Sequence, residues 1–81
     1  MIDTVIFKPG PFKIDELKPG EIQQWGPRYY LACPRCGMAL GLDHKVTIVD
    51  GKVSIEPSVG HETCKLHIFI RDSKIRYLSD L

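Results

Sequence analysis

CPRCG, residues 33–37, decides how this chain is to be read. Two thiols separated by two residues let a tight turn aim both sulfurs at one ion, the spacing of a zinc knuckle. Pro34 presets φ for that turn, and Gly37 permits a left-handed conformation as the chain leaves it. The rival use of such a pair, thiol redox chemistry, needs the first cysteine at a helix N-terminus inside a βαβ unit. No window near Cys33 has the apolar period of a helix. The chain holds three cysteines, an odd number that argues for metal over disulfides in a cytoplasmic protein.

A closed structural site needs four ligands, so Cys33, Cys36 and Cys64 require a histidine. His67 is the preferred candidate, because Cys64-x-x-His67 makes a second short chelate at the start of an expected strand. His61, three residues before Cys64, offers the same spacing on the other side, and His44 lies beyond the knuckle. The expected cofactor is a structural Zn²⁺ held by Cys33, Cys36, Cys64 and His67. Arg35 and Lys65, one inside each chelate, are placed to offset the negative charge of three thiolates. No H-E-x-x-H segment is present, and the H-x-E…P-C-x-x-C order of zinc deaminases is absent. Four good ligands leave a metal no open position, so no catalytic residue is expected.

The 81 residues are expected to form one zinc-binding domain over 1–81, with a turn-rich segment 1–28 packed on or flanking the zinc module 29–80. A chain this small buries a marginal core, and a metal is one usual compensation. With 43% hydrophobic and 26% charged residues the composition is that of a globular chain. A formal net charge of +1 gives no global footprint for nucleic acid or an anionic membrane. The first residues lack a signal-peptide pattern, and no apolar run approaches the ~20 residues that cross a bilayer. The expectation is a soluble cytoplasmic protein without a membrane partner.

Outward from the knuckle, Pro-Gly pairs cut the first third into short pieces: Thr4–Phe7, Phe12–Leu17 and Glu21–Trp25, with a single helical turn at Ile14–Lys18. Arg28–Cys33 reads as a strand entering the knuckle. Asp50-Gly51 is the strongest short hairpin signal. It predicts Val46–Asp50 paired with Lys52–Glu56, with Val46, Ile48, Val53 and Ile55 on one face. A second hairpin is predicted from Leu66–Arg71 and Lys74–Leu78, pairing Ile70 with Ile75 and Ile68 with Tyr77 and turning His67 away from the core. The fold class is therefore a small β-rich, zinc-stabilised domain of zinc-ribbon-like antiparallel hairpins with no long helix.

CPRCG, then Pro57-Ser58-Val59, then CKLHIFIRDS resemble a family of small metal-binding proteins of tailed phages and prophages that often carry the label "ammonia monooxygenase". The resemblance covers residues 29–80. It implies a phage-encoded protein acting in a bacterial host cell, with Cys33, Cys36, Cys64 and His67 as metal ligands. It supplies no activity, although relatives beside ubiquitin-like conjugation genes imply protein handling. The chain departs from the family in having no Trp between Val46 and Ile55, and Ser73 where a turn glycine is usual.

Three functions compete. A non-catalytic zinc module that binds a protein partner is preferred, with Phe69, Arg71, Arg76, Leu78, Trp25, Tyr29 and Tyr30 as candidate anchors. The alternative is a zinc-ribbon module that binds nucleic acid through Arg71, Lys74 and Arg76. The near-neutral charge opposes it. The third is a small zinc hydrolase or thiol redox protein, for which no general base is evident.

Overall fold

The computed structural model describes residues 2–78. Met1 and residues 79–81, the extremes of the expected domain, lie outside the described residues. Eight strands follow the turn signals: β1 Ile6–Phe7, β2 Glu21–Trp25, β3 Arg28–Ala32, β4 Ala39–Leu42, β5 Lys45–Val49, β6 Lys52–His61, β7 Leu66–Arg71 and β8 Lys74–Tyr77. Two 3₁₀ turns, Ile14–Glu16 and Glu62–Cys64, complete the chain. No α-helix occurs among the described residues. The architecture is the small all-β one that the sequence implies.

Both expected hairpins form in the expected register. Asp50 and Gly51 take positive φ (52° and 78°), as a type I′ turn requires, and Val46 pairs with Ile55 and Ile48 with Val53. Asp72 and Ser73 repeat the device (φ 50° and 65°), pairing Ile70 with Ile75 and Ile68 with Tyr77. Ser73 holds the left-handed conformation without being glycine. Its hydroxyl accepts from the Val53 N–H at 2.8 Å, and its own N–H donates to the Val53 carbonyl at 2.7 Å.

Two four-stranded sheets result, ordered β1-β2-β3-β4 and β5-β6-β7-β8. Residues 1–28 therefore supply half of the first sheet: β1 runs parallel to β2, and β2 turns through Gly26-Pro27 into β3. Strand β4, which no sequence signal announced, pairs with β3. The first sheet is tied to the second where the Val5 N–H donates to the Ser73 carbonyl and the Ile75 N–H to the Asp3 carbonyl. Val5, Ile22, Leu31, Cys33 and Leu42 from the first half pack with Val53, Ile55, Val59, Leu66, Ile68, Ile70 and Ile75 from the second in one core.

Gln23 is the one polar side chain in β2 that is nearly inaccessible, at 2% exposure. Its amide oxygen accepts from the Lys13 N–H at 3.3 Å, and its amide nitrogen donates to the Pro11 carbonyl at 3.0 Å. One side chain thus fixes the Pro-Gly-Pro loop that has no ladder of its own. Gln23→Ala should lower stability by about 1–3 kcal/mol, because two backbone groups lose buried partners. Denaturant unfolding measures it, and a change under 0.5 kcal/mol would mean that water replaces the amide.

Strand β6 runs well past the expected Glu56. Pairing with β7 breaks between Ile55↔Ile70 and Val59↔Ile68, so Glu56, Pro57 and Ser58 lie opposite Phe69 alone. Pro57 has no N–H to give the ladder, and the bulge absorbs it. Pairing then resumes through Gly60↔His67 and His61↔Leu66.

Candidate functional site

The knuckle closes as its residue types dictate. The Gly37 N–H donates to the Cys33 carbonyl at 2.8 Å with Gly37 at φ 82°, and the Cys33 N–H donates to the Met38 carbonyl at 2.8 Å. The Arg35 N–H approaches Cys33 Sγ at 3.4 Å. At the far end of the second sheet β6 ends in His61, and one 3₁₀ turn carries Cys64 back beneath it. Lys65 then takes a left-handed conformation (φ 54°) to enter β7. The Arg35 guanidinium crosses between the two halves and donates to the Cys64 carbonyl at 3.0 Å. Its cation is thereby held at the cluster, where the sequence put it.

Four donor atoms converge: the sulfurs of Cys33, Cys36 and Cys64 and a nitrogen of His61, all within 4.8 Å of one another. Cys33 Sγ lies 3.4 Å from Cys64 Sγ, and His61 Nδ1 lies 3.3 Å from Cys64 Sγ and 3.7 Å from Cys36 Sγ. Bonds of about 2.0–2.3 Å to a tetrahedral ion give ligand separations of roughly 3.3–3.8 Å, so the four fit one metal ion. The thiols themselves call for a cation. Burial pushes the Cys64 thiol up to about 11, reinforced by its sulfur neighbours Cys33 and Cys36. Burial pushes Cys33 the same way, but the Cys36 N–H, His61 and the Arg35 N–H outweigh it and bring Cys33 down to about 6. Cys33 ionises first, and its negative charge then holds the proton on Cys64.

The fourth member of the cluster differs from the histidine the sequence favoured. Cys33, Cys36 and Cys64 are brought together as expected, but His61 completes the set and His67 does not. The spacing on either side of Cys64 is equal, and the backbone decides. His61 and Cys64 sit at the two ends of one 3₁₀ turn, whereas His67 is two residues along β7, opposite Gly60. His44, the third candidate, also stands apart, with Nε2 against the Ser58 carbonyl at 2.8 Å.

His67 has another partner. Its Nε2 lies 2.9 Å from the hydroxyl oxygen of Ser58, and both side chains are half-buried. Ser58 stands on the bulged part of β6, where its backbone is free of the β7 ladder. His44 holds the carbonyl of the same residue. Ser58 is thus gripped at two atoms by two histidines, with its Oγ aligned on an imidazole nitrogen. A hydroxyl within hydrogen-bond reach of an imidazole is the arrangement of nucleophile and general base. Among the described residues no carboxylate bonds to His67. The sequence signal was present in Pro57-Ser58 and in CKLH, but nothing in their spacing shows that the two meet.

A family model described as "Bacterial ubiquitination-like system serine protease (BubE)" matches residues 10–78. No curated protein and no solved structure matches the chain.

Proposed function

The chain belongs to the BubE family, and from that premise we propose that it is a serine peptidase with Ser58 as nucleophile and His67 as general base. The Ser58 Oγ to His67 Nε2 separation of 2.9 Å carries the reading. With Nε2 unprotonated, the Ser58 hydroxyl donates its proton to His67 as Oγ adds to a substrate carbonyl. The imidazolium returns that proton to the leaving amine, forming an acyl-enzyme at Ser58. Water, deprotonated by the same nitrogen, then releases the carboxylic acid. His44 positions Ser58 by holding its carbonyl. The protein partner expected from the sequence enters this reading as the polypeptide substrate, in a system of the ubiquitination-like kind that the family description states.

The cluster is assigned to Zn²⁺, for which three thiolates and one imidazole are a structural donor set. Such an ion would supply a cross-link, and the proton transfers fall to Ser58 and His67. The cross-link bears on the pair directly. His61 is three residues after Ser58, Cys64 three before His67, and both ligands close the end of the β6–β7 ladder that fixes the two relative to each other. In this reading His67, which stands apart from the donor cluster, supplies the base that the sequence did not make evident.

A fluorophosphonate probe tests the proposal. It should phosphonylate Ser58 in the folded protein, located by tandem mass spectrometry, and should leave His67→Ala unlabelled. Wild-type protein that resists the probe would sink the reading.

A further inference from the structure

We propose that the outer face of the second sheet, running from Ser58 and His67 to Arg71, is the substrate groove and selects a peptide with an acidic side chain about four residues from the scissile bond. This inference rests on the peptidase reading above. Strand alternation puts His67, Phe69 and Arg71 on one side of β7, opposite the core residues Leu66, Ile68 and Ile70. At about 3.3 Å per residue, Phe69 lies ~7 Å and Arg71 ~13 Å along the strand from His67. An extended peptide laid on this face has the same repeat. Phe69 therefore meets a side chain about two residues from the bond cut, and Arg71 one about four residues away.

The floor and its charge are formed. A depression of about 550 Å³ is lined by Lys45, Glu56, Pro57, Phe69 and Arg71, and it begins at the residue next to Ser58. A second, of about 300 Å³, continues on the other side of Phe69 and Arg71 toward Lys74 and Arg76. Arg71 lies over the Phe69 ring at 5.3 Å from its centroid, which holds the guanidinium above the groove. Four cations and one carboxylate thus share a face, although the whole chain carries only +1. Among the described residues, every ion pair involves other cations: Lys8, Lys13 and Arg28. Unpaired charge around an apolar ring suits an acidic side chain following an apolar one. Nucleic acid is the lesser fit, because Glu56 lies within the patch and the cations extend across one short face only.

The test uses two sets of fluorogenic peptides that differ only in Asp or Lys four residues from the cleaved bond, on either side of it. The Asp peptide of one set should have a kcat/KM about tenfold above its Lys counterpart at low salt. That ratio should collapse by 0.5 M NaCl, since an exposed pair is screened. Arg71→Glu should invert the ratio, whereas Lys18→Glu, the same charge change on an exposed residue near the first sheet, should leave it alone. Peptides cleaved with a ratio within twofold in both sets would overturn the groove assignment and leave the Ser58 chemistry standing. So would an Arg71→Glu protein that keeps the wild-type ratio but loses affinity for a labelled 20-mer oligonucleotide. Failure of the phosphonate probe at Ser58 together with no cleavage of any peptide would overturn both readings.

Discussion

Ser58→Ala should abolish peptide hydrolysis, lowering kcat by about 10³-fold or more, because no neighbouring group can take over the attack. His67→Ala should cost a similar factor, since the hydroxyl of Ser58 then has no acceptor for its proton. The double variant should be little worse than either single one, as expected of two groups that act as a unit. All three proteins should stay folded and keep their metal, because neither residue belongs to the donor cluster. Steady-state cleavage with metal analysis on the same samples checks this. A Ser58→Ala protein that retains full activity would end the nucleophile assignment.

Removing the metal should have the largest effect on the fold. A chain with one small core gains from a cross-link of the kind proposed, since structural zinc contributes on the order of 10 kcal/mol to folding in small domains. Chelation should unfold the protein, or at least loosen the β6–β7 end, and phosphonate labelling of Ser58 should fall in parallel. The histidines separate the alternatives. His61→Ala should lose the metal and His67→Ala should keep it, the reverse of the assignment preferred from the sequence. Because the Cys64 thiol sits at about 11, metal entry must displace its proton. Affinity should therefore fall as pH falls across the neutral range, with proton release on binding measurable in weak buffer. A metal-free protein with the same unfolding midpoint as the loaded one would contradict this account.

Both hairpins of the second sheet were legible because turn chemistry and apolar alternation independently fix the same register at Asp50-Gly51 and Asp72-Ser73. Three of the four residues of the Cys/His cluster were legible from cysteine count and spacing. The fourth was not. His61 and His67 are equidistant from Cys64 in sequence, and only the 3₁₀ turn with left-handed Lys65 folds one of them onto the sulfurs. Ser58 was hidden for a different reason. Serine is a common surface residue, and its partner is nine positions away. Their meeting depends on a bulge of three residues against one, which a period-two pattern cannot reveal. Strand β4, four residues with a glycine in the middle, carries too little alternation to be read alone.

The bulged end of β6 also limits how this protein can vary. Ser58, His61, Cys64 and His67 stand at intervals of three along ten consecutive residues, with the Ser58–His67 pair bracketing the two donors His61 and Cys64. An added or deleted residue between His61 and Cys64 shifts both couples at once, and one elsewhere in that decade still shifts Ser58 relative to His67. The exposed turn at Asp50-Gly51 lies outside that decade, so a length change there leaves the spacing of these four residues unchanged.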